Sequence, residues 1–245
     1  DFAVGNSGIA HTRWATHGAP SAVNSHPHAS SGISVVHNGI IENHDSLREE
    51  VRAAGYTILS DTDSEVISHL IHHYLADSDD LRQAVSKTIT RLEGAYALGV
   101  MSQDHPNLLI GARSGSPLVV GVGMDEHFIA SDQMALRQVT DRFVYLEEGD
   151  MVELCSETYK VFDASGKTVD REVHQLDDTD HRTDKGQYRH FMQKEMFEQA
   201  TVLADTFAGR IGSDHIHEAI FGHQAEVLFA QTKNIHIIAC GTSFH

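Results

Sequence analysis

The sequence predicts an α+β protein in which a block of amphipathic helices lies between two strand-rich stretches. Apolar residues recur at spacings of three and four between about positions 44 and 92, the helical period. After Gly94 the pattern shifts to short apolar segments broken by Gly, Pro, Asp and Asn, which reads as strands and turns. A length of 245 residues, 40% of them hydrophobic, is enough for one large domain and part of a second.

Each element follows from local pattern. From residue 8 to 41 the chain is loop-rich and β-leaning, with apolar stretches at Ser34-Val35-Val36 and Ile40-Ile41. A first helix over 44–54 places Leu47 and Val51 on one face. A second starts near Asp63, with Thr62 or Asp63 as N-cap and Val66, Leu70, Ile71, Tyr74 and Leu75 inward. The third carries Leu81, Val85, Ile89 and Leu92 and stops at Gly94. Strands are expected at 95–101, 108–112, 118–122, 128–130, 143–146, 151–154, 159–162 and 168–173. A polar stretch without periodicity over 176–186 reads as a linker. A helix follows from 190 to about 207, and 235–239 reads as a buried strand.

Charge and cysteine content exclude several classes. With 18 basic and 35 acidic residues the net charge is -17, a field that repels phosphate backbones and anionic lipids. No Lys/Arg-rich run offsets it, so neither nucleic acid nor membrane is expected as a partner. Two cysteines, Cys155 and Cys240, fit a reducing compartment and give no CxxC spacing, so a cytoplasmic location is expected. No apolar run is long enough to span a bilayer. The chain opens on Asp1-Phe2-Ala3 without a Met and stops soon after 235–239, which suggests a piece of a longer protein.

Several segments carry chemically capable residues. Glu65, His69 and His73 fall at i, i+4 and i+8, a carboxylate–histidine metal pattern, although a solvated polar face is the plainer reading and no metal site is expected. His217-Glu218 lacks the second His of a zincin, since Phe221 stands in its place. His26-Pro27-His28 reads as a turn. Gly111-Ala112-Arg113-Ser114-Gly115-Ser116-Pro117 reads as a tight inter-strand loop, because a strand and no helix follows it. Residues 11–18, His-Thr-Arg-Trp-Ala-Thr-His-Gly, pack a cation, the only Trp, two hydroxyls and two imidazoles into eight positions. His37-Asn38-Gly39 is first a turn signal, but an Asn amide beside a Gly N–H also offers two donors to an oxyanion.

Taken in order, these strings resemble one family. His11-Thr12-Arg13-Trp14-Ala15-Thr16-His17-Gly18, Asn24-Ser25-His26-Pro27-His28 and Val36-His37-Asn38-Gly39-Ile40-Ile41-Glu42-Asn43 are similar to the glutaminase domain of the isomerizing glutamine–fructose-6-phosphate amidotransferases. So are Thr62-Asp63-Ser64-Glu65, residues 112–118, Phe128-Ile129-Ala130-Ser131-Asp132, residues 146–150 and residues 188–195. Cys240-Gly241-Thr242-Ser243 resembles the opening of the family's sugar-phosphate isomerase domain.

The resemblance implies a four-layer αββα N-terminal-nucleophile amidohydrolase sandwich, followed by the truncated start of an α/β sugar isomerase domain. It places a glutaminase domain at 1–179, a linker at 180–188 and the isomerase start at 189–245. The substrates implied are glutamine and fructose 6-phosphate, with no cofactor and a homodimer in the full-length enzyme. In the glutamine pocket, Arg13 would clamp the α-carboxylate and Asp63 the α-ammonium group. Thr16 and His17 would line the pocket with His26 behind, Asn38 and Gly39 would form the oxyanion hole, and Trp14 would gate ammonia. Thr242 and Ser243 would bind sugar phosphate.

The family's nucleophile is an N-terminal Cys with its own amine as base, and neither Cys155 nor Cys240 can replace it. The segment alone is therefore expected to be inactive, with a sheet edge or gap beside Gly39 that lowers stability and favours association. Two alternatives remain: another amidotransferase with the same glutaminase half, or a non-catalytic module that binds glutamine or metal.

Overall fold

A computed structural model describes residues 5–13, 17–176, 185–207 and 225–238. The chain divides into two compact units, Asp1–Thr179 and Asp180–His245. In the first, β1 (His28–Ser30) and β2 (Ile33–Ile41) form a hairpin. Its two-residue turn, Ser31-Gly32, has positive φ at both positions, the geometry that matches strand twist. Helices α1 (His44–Ala53), α2 (Glu65–Ser78) and α3 (Leu81–Ile89) follow. Then come β3 (Gly94–Ser102), β4 (Leu109–Ser114), β5 (Val119–Val122), β6 (His127–Ala130), a 3-10 turn (Gln133–Leu136) and β7 (Arg142–Tyr145). The unit ends with β8 (Met151–Leu154), β9 (Tyr159–Phe162), β10 (Thr168–Val169) and β11 (Val173–Gln175).

These strands make two antiparallel sheets, β1-β2-β3-β4-β8-β9-β10 and β11-β7-β5-β6. Alternation along the larger sheet decides its two faces. Ile33, Val35, Leu98, Val100, Ile110 and Ala112 meet Leu47, Val51, Val66, Leu70, Ile71, Leu81 and Val85 of the three helices. Ala97, Val152, Leu154 and Val161 meet Val120, Val122 and Val144 of the smaller sheet. Gly99 and Gly111, opposite each other on β3 and β4, leave room for Ile129, which a Cβ at Gly99 would meet at 3.0 Å. On the outer face of the smaller sheet, Leu136 of the 3-10 turn covers Val119 and Phe143. The layering is the αββα sandwich implied by the resemblance, with a thick helical layer on one side and a thin one on the other.

Four local expectations need correction. Asn38-Gly39 is no turn: it lies inside β2, and His37 to Gly39 pair in register with Leu98 to Tyr96 of β3. Ser64 holds the N-cap position of α2 without a side-chain bond into the helix, and the Asp63 carboxylate is occupied by the Ile41 N–H (2.8 Å). The single strand at 168–173 is two, β10 in the larger sheet and β11 in the smaller. The chain crosses between sheets at Arg171, held by Asp150. The polar face of α2 is not solvated where it begins: Glu65 and His69 are buried, with 3.5 Å between Oε1 and Nε2, and only His73 is exposed.

The second unit shows α4 (Phe191–Phe207) and α5 (Ala225–Gln231). The strand expected at 235–239 is absent over its described part, 235–238, where Ile235, Ile237 and Ile238 are exposed. A strand exists only against a hydrogen-bonded neighbour, and none lies beside it among the described residues.

Candidate active site

The site lies where β2 faces the start of α2. A cavity of about 260 Å³ is lined by His11, Arg13, His17, His26, His37, Asn38, Gly39, Ile40, Thr62, Asp63 and Ser64. It is smaller than the roughly 300–1,000 Å³ of sites for drug-sized ligands, a size suited to a single amino acid. Of the pocket residues expected from sequence, Arg13, His17, His26, Asn38, Gly39 and Asp63 therefore share one cavity. Trp14, Thr16, Thr242 and Ser243 lie outside the described residues.

Backbone geometry explains the donors. Gly39 has φ +140°, and a Cβ there would lie 2.0 Å from the Ala95 carbonyl oxygen, so no side chain fits where β2 passes β3. Arg13, itself at φ 58°, folds over the loop that follows it: Nη2 donates to the carbonyls of His17 (2.6 Å) and Gly18 (2.8 Å), and Nη1 to Ala19 (3.2 Å). Three of its five N–H donors are so used, both of those on Nη2 among them, which leaves Nε–H and one Nη1–H on opposite sides of the guanidinium. Asn24 holds the same loop, donating to the Ala19 carbonyl at 3.0 Å.

Electrostatically the wall is imidazole-rich. His11 and His26 contact edge to face at 4.5 Å between centroids, and His26 and His28 at 5.0 Å. Burial pushes the His26 pKa down to about 3, helped by His11, His28, His37 and Arg13. Burial likewise lowers His11, His28 and His37, although Asp63 and the Ala95 carbonyl favour the charged form of His37. These rings are neutral at pH 7. His17 Nδ1, His26 Nδ1 and His37 Nε2 are buried with no hydrogen-bond partner, which marks a wall short of something polar to bind. Behind it, burial raises the Glu65 pKa, but hydrogen bonds from Ser60 and the Leu59 N–H outweigh this and hold the carboxyl low.

A second cavity of about 630 Å³ opens between the sheets and shares His11, Arg13 and Asn38 with the first. Among the described residues no group of three or more His, Cys, Asp or Glu is placed to hold a metal ion. No helix there is long and apolar enough to cross a membrane. Sequence reasoning gave no role to His37 or Ser64. The signal was a polar residue on the inward-facing repeat of β2, after Ile33 and Val35.

An αββα sandwich with an amino-acid-sized polar pocket between a Gly-kinked strand and a helix start defines the class. Residues 11–138 match the family described as glutamine amidotransferase domain, and the chain belongs to that family. It is 54% identical over 99% of its length to the isomerizing glutamine–fructose-6-phosphate aminotransferase of Pseudomonas syringae pv. tomato. To the enzyme of that name from Escherichia coli it is 51% identical over 98%. In both cases it spans 40% of the relative's length. Among solved structures, the glutamine phosphoribosylpyrophosphate amidotransferase of B. subtilis, complexed with ADP and GMP, aligns with a TM-score of 0.54 and 25% identity. That alignment covers 64% of this chain and 35% of that one.

Proposed function

We propose that this chain is the glutamine-handling part of an enzyme that makes glucosamine 6-phosphate and glutamate from glutamine and fructose 6-phosphate. The observation that carries the reading is the 54% identity running through 99% of the chain, including residues beyond the 11–138 match. The phosphoribosylpyrophosphate enzyme, by contrast, aligns with only 64%. An acceptor other than fructose 6-phosphate is therefore the weaker alternative.

In the proposed mechanism the Arg13 guanidinium pairs by charge with the α-carboxylate of glutamine, and Asp63 takes the α-ammonium group. His17 and His26 line the pocket, joined by Thr16. The Asn38 side-chain amide and the Gly39 N–H stabilise the oxyanion formed as the amide is attacked. The adduct with the attacking thiol then expels the amide nitrogen, which takes up a proton and leaves as ammonia. The ammonia passes Trp14 to the sugar phosphate, for which Thr242 and Ser243 supply hydroxyls, while water releases the thioester's acyl group as glutamate. Among the described residues no thiol lines this pocket, and Cys155 sits exposed after β8. The polypeptide of this sequence is accordingly expected to bind glutamine without hydrolysing it. We assign the glutamine-binding part of a glutaminase domain to residues 1–179, a linker to 180–188 and a sugar-phosphate domain to 189 onward, in a full-length enzyme that is a cytoplasmic homodimer and uses no cofactor, nucleic acid or membrane.

Calorimetry tests the reading. Glutamine should bind at one site per chain and be lost in Arg13→Ala and in Asp63→Ala, while zinc should not bind stoichiometrically. No glutamine binding at all, or stoichiometric zinc binding lost in His69→Ala, would overturn it, whereas glutamate release above buffer would overturn only the expectation that this polypeptide does not hydrolyse.

A further inference from the structure

Behind the donors of the pocket lies a brace that the mechanism does not use. His37 is 3% exposed and points to the helix side of β2, where its Nδ1 lies 2.8 Å from Ser64 Oγ at the cap of α2. Next to it, Asp63 Oδ2 accepts the Ile41 N–H at 2.8 Å. Two consecutive residues at the start of α2 are thus tied to β2 positions four apart, about 13 Å along a strand. Asn38 and Gly39 lie between the two ties. Ser64 Oγ also approaches Asp63 Oδ1 at 3.5 Å, so its hydroxyl sits between the imidazole and the carboxylate. A helix start held at one point can pivot; held at two it cannot.

We propose that His37 is a positioning residue that sets the ligand length the site accepts. By bracing Ser64 it fixes the separation between the Asp63 carboxylate and the Asn38–Gly39 donors. Resting on the glutamine reading above, this assigns discrimination against the shorter homologue asparagine to the His37–Ser64 bond. Asn and Gln differ by one methylene, a difference that a fitted pocket turns into roughly 10–200-fold. With the brace cut, the start of α2 is held only at the Asp63–Ile41 bond and can pivot there. The pivot turns the other Asp63 carboxylate oxygen toward the amide donors, so that the shorter ligand gains relative to the longer.

The test is calorimetric titration of this polypeptide with glutamine and with asparagine, scored by the ratio of the two affinities. A variant that merely folds less well weakens both ligands alike and leaves the ratio unchanged. The wild-type protein should favour glutamine by at least about tenfold. His37→Ala and Ser64→Ala should each reduce that ratio to about threefold or less, and the double variant should be no worse than either. His37→Asn, whose amide reaches the place of Nδ1, should keep the wild-type ratio. An unchanged ratio in His37→Ala, or in Ser64→Ala if the first does not fold, overturns the brace and leaves glutamine binding intact. A wild-type protein that binds neither ligand overturns the glutamine reading and the brace with it.

Discussion

Two polar clusters are built into the same sandwich, one at the β2–α2 pocket and one where β4 meets the β7–β8 turn. At the turn every carboxylate has a guanidinium partner, with Arg171 serving both Glu147 and Asp150 and Arg113 serving Glu148. Asp150 is fully buried and takes two bonds from Arg171 (2.8 and 2.9 Å) and one from the Glu147 N–H (2.8 Å). Glu148 takes Ser114 Oγ, the Gly115 N–H and Arg113, which also donates to the Leu146 carbonyl. Its one orphaned atom is Arg113 Nε. At the pocket the balance is reversed: neutral imidazoles crowd one wall, and His26 and His37 each keep a buried nitrogen without a hydrogen-bond partner. A closed cluster fixes a chain crossing, whereas a cluster with unspent donors and acceptors keeps its wall ready for a ligand.

The sharpest test of that contrast is a paired substitution. Asp150→Ala leaves the Glu147 N–H without its acceptor and Arg171 with Glu147 alone (3.1 Å), and losing the bonds to a buried carboxylate costs on the order of 2 kcal/mol. Urea denaturation should show that loss, while the protein still folded should bind glutamine with unchanged affinity. Asp63→Ala should do the opposite, losing about 1 kcal/mol through the freed Ile41 N–H and at least about tenfold in glutamine affinity. Equal effects on stability and binding in the two variants would erase the distinction between the clusters.

Much of this architecture is legible in the amino-acid order alone, and what decides legibility is whether an element's partners are local. Helices α1 to α3 announce themselves because each buries an apolar stripe at helical spacing, Leu47 and Val51 or Leu81 and Val85. The strands after Gly94 are equally plain, since Gly and Pro punctuate them. Asn38-Gly39 misleads because a Gly with positive φ is needed at a tight turn and equally where one strand grazes another's carbonyl, as it does at Ala95. The tie from Ser64 to β2 and the split at Arg171 depend on partners 27 and 21 residues away in sequence, His37 and Asp150, which no local pattern contains. For the pocket, the family's motifs point to Arg13, Asn38 and Asp63, and the fold alone brings in His37 and Ser64.

Acid should separate the clusters next, with a more moderate effect. His11, His26, His28, His37 and His69 all have folded pKa values lowered by burial, that of His26 to about 3. Below about pH 6.5 the unfolded chain takes up protons that the folded chain refuses. Stability is therefore fully present above 6.5 and declines as pH falls, toward about 3 in the case of His26. The depressed Glu65 adds to the loss below the usual carboxylate range. Melting temperature measured from pH 7.5 to 5 should drop, and His26→Gln should flatten the slope. A flat profile in the wild-type protein would mean that the pocket histidines are charged or solvated.

The smallest expected effect lies at the exposed end of the matched cluster. Bonds from Ser114 and the Gly115 N–H hold the Glu148 pKa below the carboxylate range, so its contribution is present above the unfolded value and lost as pH falls through the folded one. Yet its side chain is 62% exposed, and water and salt screen an ion pair placed there. Glu148→Gln keeps an oxygen for Ser114 Oγ and should cost less than about 1 kcal/mol, shrinking further in 1 M salt. Urea midpoints at low and high salt give that comparison. A loss as large as that of Asp150→Ala, insensitive to salt, would show that the turn is held as one unit from Arg113 to Arg171, with its strength spread along the whole surface of the corner and not concentrated in its buried carboxylate.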